Sequence, residues 1–128
     1  MPYEVIVPKG SPPPLAPYSP ATKAGNAVYV SGMLAMDSDG KLVGENDIKT
    51  QTQKVLESIK AVLEAAGGSL QDITFNHIFL ADMSDYAGMN EVYRKHFPAA
   101  PPARYCIRAD LVKPGFLIEI ASVAHIAR

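Results

Sequence analysis

Tryptophan is absent from this 128-residue chain, and cysteine occurs once, at Cys106. A lone cysteine excludes an internal disulfide and a cysteine-rich metal site. No apolar run is long enough to span a bilayer, and no segment has the pattern of a secretory signal. A cytoplasmic location with no membrane partner is therefore expected. An excess of either charge is also missing: 12 lysines and arginines stand against 13 acids, for a formal net charge of -1. Bulk electrostatics then give no pull toward nucleic acid or an anionic surface. Low-complexity tracts, clear internal repeats and interdomain linkers are absent too. With 48% hydrophobic and 20% charged residues, residues 1–128 form one ordinary domain, small enough for subunit contacts to matter.

Proline, by contrast, is concentrated. Residues 8–20 hold six prolines, which exclude a helix or a central strand and predict a stiff, extended arm. Pro12-Pro13-Pro14 also resembles a proline-rich ligand motif, but a rigid arm is the simpler reading. Short strands are predicted at 4–7 and 27–32. A further extended piece over 33–36 runs into the turn signal Asp37-Ser38-Asp39-Gly40. Residues 47–66 predict a long helix. Val55, Ile59, Val62, Leu63 and Ala66 make its apolar stripe, and Gly67-Gly68 closes it. A strand at 73–83 follows, then a helix capped by Ser84 or Asp85 that ends before Pro98. Strands at 104–110 and 116–126 complete an α+β domain with two helices on one face of a sheet. The other face needs cover, and in so small a chain a second subunit is the natural source.

Two places carry chemistry. In Pro102-Ala103-Arg104-Tyr105-Cys106-Ile107, strand alternation puts Arg104 and Cys106 on one face. Tyr105 and Ile107 are then expected to be core residues on the other. A guanidinium fork beside a small polarisable thiol is a receptor for a small carboxylate. In the last strand, Glu119 interrupts a run that is apolar on both faces, as a central strand would be. A buried carboxyl must be neutral, paired or hydrogen-bonded. Desolvation would raise its pKa, and a nearby Arg104 would lower it. Such a group suits acid–base work near neutrality, or is a structural partner for Arg104.

Other residues read as ordinary. His77, His96 and His125 share no spacing that makes a metal site. His77 and His125 fit a core or an interface, and His96 favours the negative end of its helix. Tyr93 and Phe97, four apart, read as packing. The five methionines fill core space, and Asp37, Asp39 and Glu45 are too irregular for a calcium loop.

Essentially the whole chain resembles the Rid (YjgF) family of reactive intermediate deaminases. The resemblance is carried by Ala16-Pro17-Tyr18, Val30-Ser31-Gly32, Asn90-Glu91-Val92-Tyr93, Pro102-Ala103-Arg104 with Cys106, and Ile118-Glu119-Ile120. Thr74-Phe75-Asn76, Ile78-Phe79-Leu80 and Leu111-Val112-Lys113-Pro114 are most similar to family members of pyrimidine catabolism. The resemblance implies a chorismate-mutase-like α+β fold and a homotrimer with clefts between subunits. It implies hydrolysis of an enamine or imine to a carbonyl compound and ammonia, with no metal or organic cofactor. The substrate would be 3-aminoacrylate, giving malonic semialdehyde; the alternative is 2-aminoacrylate, giving pyruvate. By the same resemblance Arg104 holds the carboxylate, and Glu119 positions water and shuttles protons. Ser31 and the Gly32 backbone hold one end of the substrate, Tyr18 closes the cleft, and Asn90 is a hydrogen-bonding wall. Cys106 is a wall atom or a proton donor; imine hydrolysis needs no covalent sulfur intermediate, which favours the wall. Two other classes stay open. One is a non-catalytic protein binding small carboxylates. The other is a ribonuclease, for which the sequence offers no basic face or aromatic platform.

Overall fold

Helix α1 (Ile48–Ala65) organises the domain. Its carboxylate cap, Asp47, accepts from the Thr50 backbone, as an N-cap should. At its far end Gly67 takes a φ of 91°, and the Gly68 N–H reaches back to the Leu63 carbonyl at 2.8 Å. This is a Schellman closure, and the left-handed position explains the glycine there. Val55, Ile59, Val62 and Leu63 are buried with Leu56 against the sheet.

In this computed structural model, which describes residues 2–127, the sheet has six strands. They are β1 (Glu4–Ile6), β2 (Ala21–Ala24), β3 (Ala27–Met33), β4 (Ile73–Leu80), β5 (Ala103–Arg108) and β6 (Ile118–His125). Their order is β1-β2-β3-β6-β4-β5, antiparallel except for the parallel pair β4–β5. Helix α2 (Tyr86–His96) packs beside α1 on the same face. The apolar last strand is central, between β3 and β4.

Several boundaries differ from the sequence reading. Strand β2 had no separate prediction, because its four residues follow the proline arm. It pairs with β3 through a two-residue turn in which Gly25 takes the positive φ. Strand β4 stops at Leu80. The Asp82 carboxylate accepts from the Ser84 N–H and turns the chain into a 3-10 turn, Met83–Asp85, before α2. Val7, Ala109, Asp110, Phe116, Leu117 and Ile126, all predicted as strand, fall outside the observed strands. The largest correction concerns Tyr105 and Ile107. They are 40% and 47% exposed, because they lie on the sheet face that no helix covers.

Gln51 is a fully buried polar residue of α1. Its amide nitrogen donates to the Gly44 and Gly115 carbonyls, both at 3.0 Å, and its oxygen accepts from the Leu117 N–H at 2.8 Å. Two of the three bonds hold the residues just before β6, so Gln51 fixes where that strand begins and hence where Glu119 lies, and the third ties it to the loop before α1.

Candidate active site

The first group of candidate residues lies on the helix-covered face, at the β5 edge. Arg104 is in register with Asn76 of β4, and its guanidinium sits under α2. Its Nη2 donates to Asn90 Oδ1 at 2.7 Å and to the Tyr86 hydroxyl at 3.2 Å. Its Nη1 approaches Met89 Sδ at 3.8 Å. The cation stands 4.7 Å from the centre of the Tyr93 ring and 5.8 Å from that of Tyr86. Tyr86, Met89, Asn90 and Tyr93 follow 3- and 4-residue spacing, so one stripe of α2 makes the whole cradle. Met83, Tyr86, Tyr105, Arg104 and Cys106 line the depression that opens there.

Cys106 is half-buried beside Arg104. Burial pushes its thiol pKa up, and the neighbouring guanidinium opposes this only in part. The group is a neutral thiol near pH 7, poor as a nucleophile or acid and suited to lining a wall. Cys106→Ser is expected to retain substantial activity in a turnover assay; near-complete loss would make the sulfur a participant.

The second group lies on the opposite face. In β6, Ile118, Ile120, Ser122 and Ala124 point to the helices, so Glu119 points to the uncovered side. Burial raises its pKa, and no cation among the described residues of the same chain offsets this. The expectation that Arg104 lowers it fails within one chain, because the two side chains leave opposite faces of the sheet. Gly32, in a bulged part of β3, lies against this carboxyl. A Cβ on Gly32 would collide with the Glu119 carboxyl oxygen and lie 2.8 Å from its carbon. Glycine here leaves the space that the Glu119 carboxyl occupies, and does so by close approach rather than by its φ.

Ser31 fastens the proline arm to β3. Its hydroxyl donates to the Ser19 carbonyl at 2.6 Å, and its N–H to the Pro20 carbonyl at 2.9 Å. Tyr18, at the end of the arm, is exposed. It shares with Gly32 a cleft of about 240 Å³ between the arm and α1. Arg104 is not among the residues that line this cleft.

The chain thus brings together Arg104, Cys106 and Asn90 in one place and sets Gly32 against Glu119 in another, while Ser31 binds the proline arm and Tyr18 shares a cleft with Gly32. Tyr86 and Met89 were not anticipated, and Tyr93 was read as packing alone. Their periodicity with Asn90 was the available signal. His77 Nδ1 meets the Tyr105 hydroxyl at 2.8 Å on the uncovered face, His125 Nδ1 meets Thr74 Oγ1 at 3.0 Å, and His96 Nδ1 meets the Val92 carbonyl. Among the described residues, no group of three or more His, Cys, Asp or Glu side chains could hold a metal. No helix among them is long and apolar enough to cross a membrane.

The fold and these motifs define a member of the Rid class, and the chain belongs to the family described as Endoribonuclease L-PSP, whose model matches residues 9–126. It is 60% identical over 126 residues to the 3-aminoacrylate deaminase RutC of Acinetobacter baylyi, covering 98% of this chain and 100% of that protein. Among solved structures it is similar to RidA from the Antarctic bacterium Psychrobacter sp. PAMC 21119, with a TM-score of 0.89, 37% identity and coverage of 96% and 99% of the two chains. E. coli TdcF with bound serine gives a TM-score of 0.89 at 29% identity, over 97% and 99%.

Proposed function

We propose that this protein hydrolyses 3-aminoacrylate to malonic semialdehyde and ammonia without a metal or organic cofactor, in pyrimidine catabolism. Full-length similarity to a deaminase of that substrate supports the reading. The observation that carries it in the fold is the Arg104 guanidinium, held by Asn90 and Tyr93 beside the Cys106 wall. It is an anion receptor of the size of one carboxylate.

The proposed reaction begins with the carboxylate on Arg104. Protonation of the enamine carbon next to the carboxylate gives an iminium. Water adds to the C=N carbon and yields its proton to Glu119, which returns it to the carbinolamine nitrogen; ammonia leaves as the C=O bond forms, and the hydroxyl proton released then replaces the one spent on the enamine carbon. Orientation supplies much of the effect, because the substrate also hydrolyses unaided. Tyr18 and the Gly32 backbone close the site around the reacting end, with Ser31 holding the arm in place.

A single chain separates Arg104 from Glu119, so we assign the working site to two chains of a homotrimer. Arg104, Cys106 and Asn90 come from one copy, and Tyr18, Ser31, Gly32 and Glu119 from its neighbour. The uncovered sheet face supports this assembly. Phe75, His77, Phe79 and Tyr105 form a continuous aromatic cluster there, with ring centroids 4.8–6.2 Å apart. A soluble, cytoplasmic protein fits this role.

The deciding measurement is carbonyl product release from 3-aminoacrylate and 2-aminoacrylate, each generated in situ by a helper enzyme, with a no-protein control. Faster breakdown of 3-aminoacrylate is expected. Preference for 2-aminoacrylate would reassign the substrate, and no acceleration of either would favour a carboxylate-binding protein. Light scattering on the same sample is expected to give the mass of three chains.

A further inference from the structure

We propose that Tyr93, tethered from below by Asn76 and Ser122, is the positioning residue that sets the orientation of the Arg104 guanidinium and thereby the affinity for the substrate carboxylate. The inference rests on the carboxylate-binding role proposed for Arg104 and assigns the residues behind it.

Ser122 of β6, Asn76 of β4 and Arg104 of β5 lie in one row across three adjacent strands. Ser122 and Asn76 are 2% and 0% exposed, in the middle of an otherwise apolar core. The Ser122 hydroxyl donates to Asn76 Oδ1 at 2.5 Å, and Asn76 Nδ2 donates to the Tyr93 hydroxyl at 3.0 Å. Tyr93 comes from α2, is 5% exposed, and turns its ring face to the Arg104 cation. Phe97 packs against that ring, with centroids 4.7 Å apart.

A buried amide is unfavourable unless its hydrogen bonds are made, so an apolar residue at position 76 would suffice if packing were the only demand. What Asn76 supplies is directional: it fixes where the phenol oxygen sits, and so the tilt of the ring. The remaining partners of Arg104 differ in kind. Tyr86 is exposed and bonds the guanidinium at 3.2 Å, so an incoming carboxylate can displace its hydroxyl. Tyr93 is buried, tethered at its hydroxyl and packed against Phe97, so an incoming carboxylate does not displace it. A flexible arginine held against a fixed ring loses less rotamer freedom when the carboxylate arrives.

The test compares Tyr93→Leu, Tyr93→Phe and Asn76→Ala with the parent. KM and kcat are measured for 3-aminoacrylate, and acrylate serves as an inert carboxylate inhibitor. Tyr93→Leu is expected to raise KM and the acrylate inhibition constant together, by about tenfold, with kcat nearly unchanged. Tyr93→Phe and Asn76→Ala keep the ring but lose the tether, and should give smaller shifts of the same kind. In an Arg104→Ala background, Tyr93→Leu should add no further change in the residual kcat/KM. A fall in kcat per total protein with KM and acrylate inhibition unchanged in Tyr93→Leu and Tyr93→Phe would mean that Tyr93 only supports the fold, and would overturn the proposal. If the parent does not turn over either aminoacrylate, acrylate binding by calorimetry carries the same comparison. The deaminase reading then fails separately from this one.

Discussion

Arg104→Ala is expected to lower kcat/KM for 3-aminoacrylate by roughly a hundred- to a thousandfold, toward the spontaneous rate. A hydrogen bond to a charged group contributes about 1.5–3 kcal/mol, and a carboxylate that meets a guanidinium with two such bonds loses both. Each factor of ten in rate corresponds to about 1.4 kcal/mol, and the uncatalysed reaction limits how large a loss can be seen. Arg104→Lys should recover only a small part. An ammonium keeps the charge but cannot lie flat on Tyr93 while bonding Asn90. The fold should survive either change, since Arg104 sits on an edge strand and its polar partners reach solvent at the open depression. Steady-state rates with a thermal melt on the same samples provide the check. Parent-like turnover by a folded Arg104→Ala protein would show that the carboxylate binds elsewhere.

The strong periodic signals were legible in the sequence. Val55, Ile59, Val62 and Leu63 marked the buried stripe of α1, Gly67-Gly68 marked its end, and the apolar run from Ile118 marked a central strand. The alternation that put Arg104 and Cys106 on one face was also correct. What alternation could not tell was which face meets the helices. That depends on the order β6-β4-β5, a long-range property, and it decides that Arg104 lies under α2 while Tyr105 and Ile107 are uncovered. The same ignorance joined Arg104 to Glu119, which the sheet separates. Buried polar residues were the second blind spot. Gln51, Asn76 and Ser122 look like surface residues by type and are fully satisfied inside by partners between 46 and 66 residues away, or closer in the case of Gly44 and Tyr93. No local pattern announces such partners. The stripe Tyr86, Met89, Asn90 and Tyr93 was readable as helical spacing, but its purpose emerges only when Arg104 is brought beneath it.

Glu119→Gln is expected to lower kcat about a hundredfold, within the range general acid–base groups contribute, while carboxylate binding on Arg104 changes little. The pH profile separates this from a packing defect. Burial holds the Glu119 carboxyl above its ordinary pKa, and the carboxylate is the form that accepts a proton from the attacking water. Activity in the parent should therefore rise with pH as Glu119 ionises, and Glu119→Gln should lose that limb. Stability moves the other way. A carboxyl whose pKa is raised by folding stabilises the native chain in its neutral form, fully below the unfolded pKa, and that contribution is lost as pH rises through the folded value. Glutamine keeps the neutral shape at every pH, so Glu119→Gln should lose this pH dependence of the melt. Gly32→Ala tests the same carboxyl from the opposite strand. Its methyl group would occupy the space of the Glu119 carboxyl, so it should lower kcat by turning that group away, with Arg104-dependent binding of acrylate retained. A Glu119→Gln protein with parental kcat and an unchanged acid limb would remove Glu119 from the chemistry and leave a site that works by binding and orientation alone.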